Sequence, residues 1–362
     1  MNPLETSASG TVTSLAQDTA AGARQPLVTL DDIIAAADRL RGVVIRTPLI
    51  PFGPPLPGDP LGHPRAWLKP ESLQPIGAFK LRGAYNALAS LTPEQRARGV
   101  VTHSSGNHAQ GVARAARLLG MRAVVVMPTD APQTKVAGVR ADGAEIVFVG
   151  TPSDERVARA HEIADQSGME LLSSYDDARI VAGQGTAGLE IVEQVAEIAP
   201  AGTPFTVLVP VGGGGLASGV ATAVRTQRPD ARVFGVEPEL AADAKESLET
   251  GRIVRWAPEL TSRTMADGVR TSALGEITFP QLRAYLSGVL TVSESEISRA
   301  MLRAARMARL VVEPSGAVSL AAWLFHADEL PVDGPVICIL SGGNVDPERY
   351  ADILAQGEAA GG

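Results

Sequence analysis

Lys80 stands between Phe79 and Leu81 in the run Pro75-Ile76-Gly77-Ala78-Phe79-Lys80-Leu81-Arg82-Gly83-Ala84. A lysine amine attacks a carbonyl only when unprotonated, and apolar neighbours lower its pKa by desolvation. Taken alone, the segment suits an ordinary surface lysine better. His103-Ser104-Ser105-Gly106-Asn107-His108 follows a strand pattern and opens a helical one. Backbone N–H groups at a helix start attract anions, and Ser104, Ser105 and Asn107 add donors suited to a carboxylate. An ordinary N-cap accounts for one Ser or Asn but does not require two serines, a glycine and an asparagine. In Val211-Gly212-Gly213-Gly214-Gly215-Leu216, successive glycines let backbone amides converge on a phosphate. The same run, read as Gly212-x-Gly214-x-x-Ala217, fits a dinucleotide fingerprint, with Glu237 where a ribose-binding acid belongs. Both ligands stay open on this segment. Ser341-Gly342-Gly343-Asn344 follows the last strand pattern, where a serine hydroxyl could meet a heterocyclic nitrogen or simply sit in a turn.

Parallel strands are the elements that bring such loops together. Val100 to Thr102, Ala123 to Met127 and Glu145 to Val149 are apolar runs separated by helical stretches, and the alternation resumes from Phe205 and Arg232. Strands spaced by helices of 10–15 residues imply βαβ units and a parallel sheet. The expected fold class is α/β, a large domain over 27–98 and 179–350 with a smaller βαβ domain, 99–178, inserted. Thr29-Leu30-Asp31-Asp32 reads as the first helix cap. Residues 1–26 read as a disordered tail, 51–64 as a proline-rich surface loop, and 351–362 as a C-terminal tail.

The 362 residues are 45% hydrophobic and 20% charged, with a net charge of −8 and no basic cluster, which argues against a nucleic-acid partner. No apolar run approaches a membrane span, and the amino terminus lacks a secretory h-region, so a cytoplasmic location is expected. The single cysteine, Cys338, lies in the apolar run Val336 to Leu340 and reads as a core residue.

In their order, these segments resemble the fold-type II pyridoxal-phosphate enzymes of the threonine dehydratase and serine racemase family. Ala182-Gly183-Gln184-Gly185-Thr186, Ala266-Asp267-Gly268-Val269 and Glu313-Pro314-Ser315 add to the likeness, which runs from about residue 30 to Asp346. The resemblance implies that Lys80 holds pyridoxal phosphate, with Phe79 against the pyridine ring. It implies that Asn107 bonds the ring's phenolic oxygen and that Gly212, Gly213, Gly214, Gly215 and Leu216 cradle the phosphate. Ser341 would face the pyridine nitrogen. Ser104, Ser105, Gly106, Asn107 and His108 would take the substrate carboxylate, and Ser105 would work on the ring face opposite Lys80.

The implied activity is β-elimination of water from L-threonine or L-serine, giving a 2-keto acid and ammonia, with serine racemisation as a side activity. A β-replacing enzyme like cysteine synthase and a 3-hydroxyaspartate dehydratase are the alternatives. Glu237, Ala241 and Asp243 resemble a divalent-cation segment of serine racemases, suited to Mg²⁺ or Ca²⁺, though an acidic surface loop also fits. A homodimer is expected. Ser173-Ser174 replaces the family's His-Pro near the site mouth, leaving substrate choice open. Only 16 residues follow Asp346, so feedback control through an appended regulatory domain is not expected.

Overall fold

The computed structural model describes residues 27–53, 66–104, 106–131, 133–150, 153–331 and 333–361. The expected tail 1–26, most of the loop 51–64, and Ser105 lie outside them. The first helix, Leu30–Leu40, starts at a capping box in which Thr29 accepts from Asp32 N and the Asp32 side chain answers the Thr29 backbone.

Two sheets carry the fold. The strands are β1 (Ile50–Pro51), β2 (Ala66–Pro70), β3 (Val100–His103), β4 (Ala123–Pro128), β5 (Glu145–Val149), β6 (Glu170–Leu171), β7 (Thr206–Pro210), β8 (Arg232–Pro238), β9 (Gly288–Val292) and β10 (Val336–Leu340). The larger sheet has the order β1-β2-β10-β7-β8-β9, and the smaller has β5-β4-β3-β6. All pairs are parallel except β1 with β2. β4, β7 and β10 are buried along their whole length, which is why they read as unbroken apolar runs rather than alternating ones. Cys338 sits in β10, fully buried, and burial pushes its thiol pKa up. It is a packing residue, as its sequence context indicated.

Parallel strands put the ends of β3, β7 and β10 on common sides of their sheets. The segments that follow them, from Ser104, Gly212 and Ser341, are three of the four chemical runs of the sequence. Ligands in open α/β sheets bind beyond such carboxyl ends.

The expected C-terminal tail is a correction. Pro347–Ala359 is a helix, capped by Asp346, whose side chain accepts from Glu348 N and Arg349 N. Ile353 is buried, and a Cβ on Gly357 would come within 2.6 Å of Ser298 O on the helix Glu294–Arg303. An Asp cap followed by proline at the first helical position was the overlooked signal.

Candidate active site

Lys80 opens the helix Lys80–Ala89. Three backbone contacts fasten the preceding segment to the loop after β10. Phe79 N donates to Ser341 O at 3.1 Å, Gly343 N donates to Gly77 O at 2.9 Å, and Ala78 bridges Gly342. Two residues into the helix, buried Arg82 pairs with Glu71 and Glu190, each at 2.7 Å, while Lys69 also holds Glu190 at 2.6 Å. The base of the lysine is therefore fixed from two directions. Its Nζ donates to the Ser174 carbonyl at 2.8 Å and lies 5.1 Å from the centre of the Phe79 ring. Burial lowers its pKa to about 8, against a smaller upward pull from Glu313. Such an amine is a far better nucleophile and base near neutral pH than an exposed lysine.

A cavity of about 320 Å³ brings Lys80 together with Phe79, Ser104, Gly106, Asn107, His108, Gly212 to Leu216 and Ser341. Ser104 N donates to Val126 O, and its hydroxyl accepts from Gly106 N at 3.2 Å. The helix Asn107–Leu118 begins at Gly106 at the cavity wall, and no side chain among the described residues caps its first amides. His108 is buried, and burial, then Lys80 and His103, hold its pKa well below the usual range, leaving it neutral. The Asn107 amide is engaged at both ends: Nδ2 donates to Glu313 Oε1 at 2.6 Å, and Oδ1 accepts from Asn344 Nδ2 at 2.9 Å.

Across the cavity, Gly214 has φ +93°, a left-handed conformation that favours glycine, and the helix Gly215–Gln227 starts there with no side-chain cap. The glycine run also makes room for neighbours. A Cβ on Gly213 would run into the Tyr175 ring, and one on Gly214 would lie 2.9 Å from Thr278. A loop of bare amides at a positive helix end is the donor set a phosphate ester requires. Ser341 Oγ donates to Ser315 O over a long 3.4 Å, a weak bond that a ring nitrogen can displace. The desolvated amine, the glycine cradle and the neutral hydroxyl fit pyridoxal phosphate.

Several lining groups carried no sequence signal. The Ser174 carbonyl is one, since a backbone acceptor leaves no mark on residue type. Lys135 pairs with Asp267 at 2.6 Å, and His103, Arg156 and Arg270 complete the wall. Glu313 stood in a family-like segment with no role attached. Ala182 to Thr186, from another such segment, is packing: a Cβ on Gly183 would lie 2.6 Å from Arg82 O, so the helix Ala178–Ile198 lies hard against the Lys80 helix.

Glu237 and Asp243 lie outside the cavity lining. Glu237 is fully buried at the end of β8 and accepts from Ala244 N at 3.1 Å and Lys245 N at 2.9 Å. That carboxylate is unavailable to a ribose, which removes the acid from the dinucleotide reading. Both carboxylate oxygens of Asp243 are buried without a hydrogen-bond partner, and Ala241 is buried beside them in chain. Among the described residues no cluster of three or more His, Cys, Asp or Glu gathers.

The family model described as pyridoxal-phosphate dependent enzyme matches residues 40–342. The chain belongs to that family. This pyridoxal-phosphate enzyme is 42% identical over 328 residues to the L-threo-3-hydroxyaspartate ammonia-lyase of Pseudomonas sp, covering 91% of this chain and 99% of that protein. It is 41% identical over 330 residues to the L-threonine ammonia-lyase of Geobacter sulfurreducens, covering 90% and 78% of the two. Among solved structures, maize serine racemase matches with a TM-score of 0.82 and 34% identity, over 92% of this chain and 99% of that one. Membership makes the protein a fold-type II pyridoxal-phosphate enzyme of the ammonia-lyase class and removes the dinucleotide-binding oxidoreductase as a reading. No helix among the described residues is long and apolar enough to cross a membrane.

Proposed function

We propose that this enzyme removes water from L-threonine or L-serine, the released enamine then taking up water to give a 2-keto acid and ammonia, with serine racemisation as a side activity. The observation that carries the reading is the Lys80 amine, held by the Ser174 carbonyl with its pKa lowered to about 8. When bound, pyridoxal phosphate supplies the electron sink that acidifies the substrate's Cα–H. Lys80 holds the cofactor and takes the Cα proton as general base. Phe79 would lie against the ring, and the amides of Gly212, Gly213, Gly214, Gly215 and Leu216 would hold the phosphate. Ser104, Gly106, Asn107 and His108, at the uncapped helix start, receive the α-carboxylate. The neutral Ser341 hydroxyl does not hold a proton on the pyridine nitrogen as a carboxylate would. The sink is weaker, which favours loss of a β-hydroxyl over transamination. The family resemblance assigns Ser105 to the opposite ring face, so Ser105→Ala should abolish D-serine turnover while sparing L-threonine.

A second reading, a 3-hydroxyaspartate substrate, draws on the charge of the wall. Lys135 is matched by Asp267, while burial lifts the Glu313 pKa to about 8 and keeps that carboxyl neutral at pH 7. Arg156 and Arg270 place two guanidinium groups in the cavity wall, donors of a geometry suited to a second carboxylate. The Pseudomonas relative carries this activity in its name.

A homodimer and a cytoplasmic location belong to the same reading. A divalent cation at Glu237, Ala241 and Asp243 is supported by the two unpartnered Asp243 oxygens, hard donors that a buried carboxylate does not leave bare without cause.

The test is release of keto acid and ammonia from L-threonine, both serine enantiomers and L-threo-3-hydroxyaspartate. Turnover of L-threonine or L-serine supports the first reading. A preference for hydroxyaspartate that Arg156→Ala removes supports the second. Ammonia from none of them overturns both.

A further inference from the structure

Glu313 is a buried carboxyl that the reaction as described leaves without a task. It precedes the helix Pro314–Phe325, yet its side chain caps nothing there. Instead Oε1 accepts from Asn107 Nδ2 at 2.6 Å, short for a nitrogen donor. The other end of the same amide is pinned by Asn344, whose Nδ2 donates both to Asn107 Oδ1 at 2.9 Å and to Ile76 O at 2.8 Å. The Asn344 backbone amide reaches the Glu313 carboxyl as well. The Ile76 carbonyl accepts only from the Asn344 amide nitrogen, and that nitrogen in turn requires the oxygen of Asn107, so Asn107 has one orientation, with Nδ2 turned to Glu313. In that orientation Oδ1 is occupied and Nδ2 has one hydrogen committed and one left.

Gly342 shows that the arrangement has shaped the chain around it. A Cβ there would run into Glu313 Oε1 and come within 3.1 Å of Asn107 Nδ2. The φ of Gly342 is not in the left-handed range, so the glycine serves space rather than backbone geometry. The segment that carries Ser341 is thus cut to fit the Asn107–Glu313 bond.

We propose that Glu313 is a positioning residue: together with Asn344 it fixes the Asn107 amide so that its second N–H is presented to the phenolic oxygen of the cofactor ring. The proposal rests on the assignment of Asn107 to that oxygen. The charged and titratable groups facing Glu313 are Asp267, Lys135 and Lys80. Burial and Asp267 raise the carboxyl's pKa to about 8, and at pH 7 it accepts from Asn107 through its carbonyl oxygen.

The experiment compares Asn107→Ala, Glu313→Ala, Glu313→Gln and the Asn107→Ala/Glu313→Ala pair as purified holoenzymes. The readouts are the visible absorption band of bound pyridoxal phosphate and the cofactor Kd. Asn107→Ala and Glu313→Ala should shift the band alike and each raise Kd about two- to tenfold, the size of one net hydrogen bond. The double variant should be no worse than Asn107→Ala, because the two act through one bond. Glu313→Gln keeps an acceptor of the same shape and should retain the parental band and Kd. It also shows that a shift in the alanine variant is not a folding defect.

Additive losses in the double variant would overturn the proposal, as would a parental spectrum in Glu313→Ala. A Glu313→Gln variant as impaired as Glu313→Ala would overturn it too, by assigning the effect to the acid proton. An unchanged spectrum in Asn107→Ala would instead remove the assignment of Asn107 to the ring, a separate failure.

Discussion

The lowered pKa of Lys80 makes the capture of cofactor by the apoenzyme a pH-dependent event with a calculable profile. Only the free amine attacks the cofactor aldehyde. With a pKa of about 8, the amine is free in about 9% of molecules at pH 7 and about 91% at pH 9. A lysine at the ordinary 10.5 would be about 0.03% free at pH 7, roughly 300-fold less. The sign follows from the cause: burial penalises the ammonium, so the reactive form accumulates as pH rises through about 8 and is lost below it. Mixing apoenzyme with pyridoxal phosphate in a stopped-flow instrument, between pH 6 and pH 10, gives the rate of growth of the visible band. That rate should climb close to tenfold per unit at low pH, bend near pH 8 and flatten by pH 9. Borohydride trapping and peptide mapping should place the label on Lys80, and Lys80→Ala should show no band. A rate that is still climbing between pH 9 and pH 10, or a label on another lysine, would refute the argument from desolvation.

Gly214→Val forces a side chain into a φ of +93° and against Thr278, so pyridoxal phosphate should bind more weakly, measured by cofactor titration of the folded apoenzyme. Arg82→Met leaves buried Glu71 and partly buried Glu190 with only Lys69 to offset them; chemical denaturation should show a loss of about 3–5 kcal/mol. If a cation sits at Asp243, EDTA should lower the melting temperature of the parent but not of Asp243→Asn, because a ligand of the native state stabilises by mass action. Equal sensitivity of the two would remove the cation.

The strands and the order of the loops were legible because fully buried parallel strands are unbroken apolar runs, and β4, β7 and β10 had no competing pattern. The glycines were legible only in part. Gly212 to Gly215 read as a surface for phosphate, yet Gly213 also yields space to the Tyr175 ring, which no spacing rule foretells. Gly183 lies in a helix interior, where glycine costs stability, and its reason is a neighbouring helix supplied by tertiary structure. The Ser174 carbonyl and the Asn344–Asn107–Glu313 chain join residues distant in sequence through backbone or amide groups, so nothing local announced them. The C-terminal helix was missed for the opposite reason: its cap was present at Asp346-Pro347 and went unread.

The order of the large sheet dictates when the enzyme becomes competent during synthesis. β10, made after every other strand, lies between β2 and β7 in the middle of that sheet. Until it leaves the ribosome, β2 has only the two-residue β1 beside it, and the facing edges of β2 and β7 stand open. Chains generally fold from the amino-terminal side as they emerge, and distant parallel pairings form slowly. The nascent chain therefore carries its reactive lysine long before the second of its two fastenings can form. Alignment arrives with Ser341, Gly342 and Gly343, which zip onto Gly77 to Phe79 as soon as β10 inserts. A chain truncated ahead of β10 would keep Lys80, the Asn107 helix and the glycine loop, and would still be silent.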